Sequence, residues 1–281
     1  MAIPDRSDFL RMADIECVNP GIARGRFRSV LFDFDGTLSL IRQGWREIMV
    51  PMMVETLGEC RTGETEAQLS RVVIDFVDRL TGKQTIYQMI QLAEEVRKRG
   101  GLPPDPVAYK HRYHERLNRH IKGRIQGLRS GAVGVEDLMV PGSLDLLRNL
   151  ERRELTLYLA SGTDEVYVNE EADLLGLTPF FEDRVYGALD RYQDFSKERV
   201  IRDLIASQGI EGEELLGFGD GYVEIENVKA AGGMAVGVAS DEARRQGVNA
   251  WKRDRLIQAG ADLIIADFRN HDCLVDYLFD A

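Results

Sequence analysis

The chain has 281 residues, enough for one large domain or for a core with a smaller second domain. Its 36 Lys and Arg against 47 Asp and Glu leave a net charge of −11, which argues against a general nucleic-acid binder or a protein drawn to anionic membranes. Three dispersed cysteines, Cys17, Cys60 and Cys273, suggest neither a disulfide framework nor a zinc site, and no stretch reads as a signal peptide or a membrane span, so a cytoplasmic location is expected.

Residues 1–28 are polar, with Pro4, Pro20 and Gly21, and read as an arm lying on the core. Residues 29–34 are apolar on both faces, the pattern of a central strand in a covered parallel sheet. Residues 39–135 are helical in character. Leu69, Val72, Val73, Phe76, Val77 and Leu80 recur at helical spacing, as do Trp45, Ile48, Met49, Met52 and Met53, with Pro51 as an expected kink. Ile86, Ile90, Ala93 and Val96 mark a third helix, stopped by glycines and prolines near 100–104, and Tyr109, Tyr113, Leu117 and Ile121 mark a fourth. After Pro141 and Gly142, strands at 155–160, 185–186, 215–218, 235–238 and 263–265 alternate with helices. The spacing predicts an α/β fold, a Rossmann-like parallel sheet. Its first strand precedes the helical stretch and the others follow it. The core is therefore discontinuous, residues 1–38 and 136–281, and residues 39–135 form an inserted α-helical cap.

Ligands of open parallel sheets bind beyond the carboxyl ends of the strands. The first strand delivers Asp33, Asp35 and Thr37 there, around Gly36; the second delivers Ser161, Gly162 and Thr163; the strand at 215–218 delivers Asp220 and, four residues on, Glu224. Lys197 opens a helix between them. Two carboxylates as close as Asp33 and Asp35 repel unless a cation joins them. Each feature has a plainer reading: Asp35-Gly36 as a turn pair, Ser161 as a helix cap, Lys197 as a solvated first-turn lysine, Glu224 as an acid favoured by the helix macrodipole. Together they suit phosphoryl transfer, which needs a cation site, donors for phosphate oxygens and a nucleophile.

The order Asp-x-Asp-Gly-Thr, then Ser after an apolar strand, then Lys, then Gly-Asp-Gly with a later acid, resembles the haloacid dehalogenase superfamily. Within it the chain is similar to phosphatases with a helical cap inserted after the first motif, the phosphoglycolate phosphatase and β-phosphoglucomutase type. The resemblance implies Asp33 as the nucleophile and Asp35 as the general acid and base. It implies that Ser161, Lys197, Thr37, Gly36 and Gly162 surround the phosphoryl oxygens. Mg²⁺ would lie on Asp33, the carbonyl of Asp35 and Asp220. Glu224 stands where most such phosphatases have Asp, and is one methylene longer; it would reach the metal directly, through water, or leave the task to Asp220. The cap carries no specific match.

The loop Thr81-Gly82-Lys83-Gln84-Thr85 fails the Walker pattern, and as a loop between cap helices it offers Lys83 as a substrate contact. Arg42 and Trp45 are similar candidates. His111, His114 and His120 lie on a basic helix without acidic or Cys partners at ligand spacing, and read as a solvated or site-facing surface. The expected function is a Mg-dependent phosphohydrolase of a small phosphorylated metabolite such as a sugar phosphate or phosphoglycolate, acting through an aspartyl-phosphate with its acids facing solvent. The alternatives are a phosphomutase and a catalytically silent binding protein. The expected partner is the small substrate alone, with no nucleic acid or membrane, and the chain as monomer or homodimer.

Overall fold

The computed structural model describes residues 14–189, 197–209 and 212–279; the side chains of residues 197, 204, 207 and 208 lie outside the description. Seven strands form one sheet, in the order β1-β7-β6-β5-β2-β3-β4. They are β1 (Glu16–Cys17), β2 (Ser29–Phe32), β3 (Thr156–Asp164), β4 (Val185–Ala188), β5 (Leu215–Gly219), β6 (Met234–Val238) and β7 (Leu263–Ile265). All neighbours are parallel except β1, which pairs antiparallel with β7. The fold is thus the α/β, Rossmann-like one that the alternation of strands and helices predicts. The amino-terminal arm differs from expectation, because two of its residues add an edge strand.

The side-chain period of two sorts each strand between the two faces. Val30 and Phe32 of β2 join Leu157 and Leu159, Leu216 and Phe218, and Met234 and Val236 in one apolar cluster. Leu31, Tyr158, Leu215 and Ala235 point the other way. There they meet Val200 and Ile201 of α8 (Lys197–Gln208), Ile225 and Val228 of α9 (Tyr222–Ala230) and Leu256 of α10 (Ala250–Gln258). Phe32 and Phe218 stack at the sheet centre, ring centroids 4.9 Å apart.

Between β2 and β3 run α1 (Trp45–Gly58), α2 (Glu66–Leu80), α3 (Thr85–Lys98) and α4 (Pro106–Ser130). Helix α1 continues through Pro51 as one element. Helix α2 starts with a reciprocal cap, in which Thr65 Oγ1 accepts from Gln68 N and Gln68 Oε1 accepts from Thr65 N. Its stripe of Leu69, Val73, Phe76 and Val77 is buried. Met52, Met53, Phe76, Met89, Leu92 and Leu117 belong to the same contiguous cluster as Phe32 and Leu159. Of the further helices, α6 (Glu165–Leu174) packs against β3 and β4 and the short α7 (Thr178–Phe181) against β3, while α5 (Ser143–Arg152) packs against α11 (His271–Phe279), which ends the described chain. No described helix is long and apolar enough to cross a membrane.

That continuity has a measurable consequence. In urea, the fluorescence of Trp45 and Trp251, one in each part of the chain, should follow the same transition as the far-ultraviolet circular dichroism. Phe76→Ala should shift both signals together, at a cost of about 3–5 kcal/mol; two separated transitions would contradict a shared core.

Candidate active site

The register of the central strands builds the site. Phe32 pairs with Phe218 on β5 and with Leu159 on β3, and Asp33 N donates to Phe218 O at 2.9 Å. The residues just past β2 therefore lie between the tips of β3 and β5. The chain then turns tightly: the amides of Leu38 and Ser39 both donate to Phe34 O at 2.9 Å, and Gly36 N donates to Ser39 O. Gly36 has φ +78, and a Cβ there would stand 2.2 Å from Asp220 Oδ2. Only glycine lets this turn press against that carboxylate.

Asp35 faces β3. Its Oδ2 accepts from Thr163 Oγ1 at 2.8 Å and from Ser161 Oγ at 3.3 Å, while Ser161 Oγ accepts from Thr163 N. Asp220 faces the other way. Its Oδ2 accepts from Lys252 Nζ at 2.7 Å, and the same ammonium reaches Glu242 Oε1 at 2.7 Å and Ser240 Oγ at 3.3 Å. Ser240 Oγ donates in turn to Gly36 O at 2.8 Å. Burial works against the Lys252 charge, but Asp220 and Glu242 outweigh it and hold its pKa above the ordinary lysine range. Burial pushes the Glu242 carboxyl up, as does the charge of Asp220, against the pull of Lys252.

Asp33, Asp35, Gly36, Ser161, Thr163, Asp220 and Glu242 line one cavity of about 110 Å³ with Ser39, Arg42, Trp45, Lys83, Gln88, Tyr113 and Gly162. The loop between α2 and α3 roofs it. A Cβ on Gly162 would meet Lys83 O at 3.1 Å, and the Gly221 Cβ position lies 3.3 Å from Gly82 Cα. Asp33 is therefore covered rather than facing solvent, only 6% exposed, whereas Asp35, Asp220 and Glu242 are half-buried. Arg42 is buried and donates twice to Glu171, at 2.7 and 3.1 Å, with its guanidinium 5.1 Å from the Tyr167 ring. Burial opposes the Arg42 charge; Glu171 and Asp35 outweigh it and keep the guanidinium protonated.

Of the residues singled out from the sequence, Asp33, Asp35, Gly36, Arg42, Trp45, Lys83, Ser161, Gly162 and Asp220 come together around this cavity. Thr37 does not: it is fully buried beside the cavity. Glu224 is also buried and lines no part of it. Its side chain folds back under the turn that starts α9, its Oε2 lying 2.5 Å from where a Gly221 Cβ would be. The place beside Asp220 expected for Glu224 is taken instead by Glu242, at the far end of the Lys252 bridge. The Lys197 side chain lies outside the described residues. Glu242 and Lys252 carry no sequence signal, being a loop acid and a first-turn lysine that meet only in the folded chain.

The donor set suits a hard cation. Asp33 and Asp220 stand on neighbouring strand tips, and a lysine ammonium already sits on Asp220 as a stand-in cation. Among the described residues no three His, Cys, Asp or Glu side chains converge to hold a metal. Magnesium does not need such a cage, since it keeps several waters and uses one or two carboxylates with substrate oxygens. The His111, His114 and His120 surface is not such a cage either. His114 is buried against Tyr167, with its Nδ1 3.7 Å from Asp164, which pairs with Lys110 at 2.7 Å.

Burial, together with the charges of Arg42 and Lys110, lowers the His114 pKa from 6.5 to about 3. The imidazole is thus neutral in the fold and takes up a proton on unfolding. The sign follows: the stability it confers is complete above about pH 6.5 and is lost as pH falls towards 3, by at most roughly 1.4 kcal/mol per unit. Between pH 7 and 4 the urea midpoint of the natural chain should fall relative to that of His114→Gln; a constant difference between the two would show that the fold does not lower the His114 pKa.

The family model of the haloacid dehalogenase-like hydrolases matches residues 27–232. No curated protein matches the chain. Among solved structures, a predicted phosphoglycolate phosphatase from Haemophilus somnus 129PT is 15% identical with a TM-score of 0.58, over 89% of this chain and 98% of its own. A β-phosphoglucomutase from Clostridium difficile is 14% identical with a TM-score of 0.57, over the same shares. A HAD-family hydrolase from Deinococcus radiodurans R1, solved with bound phosphate and sodium, is 16% identical with a TM-score of 0.52, over 90% and 97%. At these identities the likeness is one of fold.

Proposed function

The chain belongs to the haloacid dehalogenase-like hydrolases, and from that premise we propose that it hydrolyses the phosphoric monoester of a small metabolite, with Asp33 as nucleophile and Mg²⁺ as cofactor. The observation that carries this reading is the meeting of Asp33, Asp35 and Asp220, from the tips of β2 and β5, in one roofed cavity with Ser161 and Thr163. A covalent phosphoryl step needs a carboxylate and a proton carrier near one phosphorus, with bulk water held off.

An Asp33 carboxylate oxygen attacks phosphorus, and the bond from phosphorus to the ester oxygen breaks. Asp35 gives its proton to that leaving oxygen, which departs as an alcohol. Asp35 then takes a proton from water as the water oxygen attacks the phosphorus of the aspartyl-phosphate. The bond to Asp33 breaks, and inorganic phosphate and free Asp33 carboxylate result. Ser161 and Thr163 hold Asp35 by its Oδ2, fixing the proton carrier's position. Mg²⁺, held by Asp33, the Asp35 carbonyl and Asp220, would supply charge neutralisation for the phosphoryl oxygens. Lys83, Gln88, Tyr113 and Trp45, lining the cavity from the helical insert, face the part of the substrate beyond the phosphate. Lys197 is assigned to the phosphate oxygens by family resemblance.

The test is phosphate release from a panel of metabolite monoesters by the purified protein with Mg²⁺. Asp33→Asn should lower turnover at least about a thousandfold on the best substrate, and EDTA should abolish it until Mg²⁺ is returned. A hexose phosphate isomerised without phosphate release would instead mark a mutase. Appreciable turnover by the Asp33→Asn variant would rule out the covalent route.

A further inference from the structure

A lysine near a surface normally keeps its ammonium in water. Lys252 does not. It lies in the first turn of α10, where its own amide is capped by Asn249 Oδ1 at 3.1 Å, and its side chain is 11% exposed. The ammonium has exchanged water for three oxygens: Asp220 Oδ2, Glu242 Oε1 and Ser240 Oγ. Ser240 ties the same cluster to the carbonyl of Gly36, in the turn between Asp35 and Thr37. Asp220 Oδ2 and Glu242 Oε1 both crowd the space where a Gly36 Cβ would be, at 2.2 and 3.2 Å. Glu242 also acts on Arg124, which donates to the carbonyls of Ile41 and Gln43 at 2.7 Å.

We propose that Lys252 is a positioning residue of this site: it pins Asp220 at the strand tip and, by its own positive charge, keeps the site's grip on a divalent cation weak. The inference rests on the reading of Asp33 and Asp220 as the cation's carboxylates. Opposite charges bind the ammonium to Asp220, and like charges repel a second cation placed on that same carboxylate. The repulsion is large at a few ångströms in a covered site, where water screens little. Without the ammonium, Asp220 and Glu242 would be two crowded anions with an open demand for a cation. A site that binds its cation weakly alone holds it better when a phosphate dianion adds negative charge, so Lys252 couples cation binding to substrate binding.

The experiment needs no turnover. Mn²⁺ alone is titrated into the full-length protein and free Mn²⁺ is read by electron paramagnetic resonance. Lys252→Met should bind Mn²⁺ at least tenfold more tightly than the natural chain, and Lys252→Arg, which keeps the charge, should stay within about threefold of it. Lys252→Gln, which keeps a donor for the buried carboxylates, serves if the Met variant fails to fold, and should also tighten binding. Adding inorganic phosphate should improve Mn²⁺ affinity in the natural chain more than in Lys252→Met. Equal or weaker Mn²⁺ binding by the Met and Gln variants would overturn the role of Lys252 while leaving the phosphohydrolase reading intact. Absence of Mn²⁺ binding by every form, with or without phosphate, would overturn both.

Discussion

Four carboxylates, those of Asp33, Asp35, Asp220 and Glu242, line one small cavity, and their mutual repulsion is the constraint the surrounding structure answers. The sheet brings three of them together, because β2 lies between β3 and β5 in parallel register, with Phe32 level with Leu159 and Phe218. For three of these acids the compensating groups are plain. Asp35 receives two hydroxyls from β3, and Asp220 and Glu242 share the Lys252 ammonium. Arg42, buried and tied to Glu171, adds positive charge within reach of Asp35. Removing one member of such a buried pair is costlier than never having had it, because the remaining charge is left without its partner in a covered site.

The helical insert completes this arrangement from two unequal sides. On one side the contacts are buried: Arg42 with Glu171 and Lys110 with Asp164, each at 2.7 Å. On the other they are more open. Arg255 of α10 lies over the rings of Trp251 and Tyr222 at 4.7 and 5.1 Å and donates to Asp78 O, while Tyr222 Oη donates to Arg79 O at 3.1 Å. Arg46 pairs with Asp78 at 2.6 Å and approaches Trp251. Exposed ion pairs contribute at most about 1 kcal/mol each, whereas buried ones are expensive to break singly. The helical insert thus meets the sheet domain through buried ion pairs along α4 and α6 and through more open contacts along α10.

The sheet was legible because β2, β5 and β6 are apolar on both faces and have glycines or small residues at their ends. The helices of the insert were legible because α2 and α4 keep clean stripes of buried residues. Strand β3 runs on through Ser161, Gly162 and Thr163, past the apolar run that announces it; small polar residues do not read as strand, yet their backbone follows β4 through a register shift. The edge strand Glu16–Cys17 has no pattern at two residues and exists only because β7 offers it an open edge. In the site, Asp33, Asp35, Ser161 and Asp220 could be read because each follows closely on the end of an apolar run. Glu242 and Lys252 could not, since no local spacing links a loop acid to a helix lysine. Glu224 had the expected spacing but lies buried behind the β5–α9 turn, whose glycines leave just enough room for it.

Charge also bears on what the cavity accepts. Among the described residues lining it, four are acids and two, Arg42 and Lys83, are cations, with Arg42 already bound to Glu171. A phosphate dianion entering such a space meets a net negative wall. Burial and hydroxyl donors do not reverse that; added positive charge does. The Lys252 ammonium is committed to Asp220 and Glu242 and does not itself line the cavity. In the proposed function, a divalent cation brought in alongside the phosphate supplies such charge. The proposed role of Lys252 against Asp220 follows from the same balance: with a lysine there rather than a neutral residue, cation and anion would each bind poorly alone and well together.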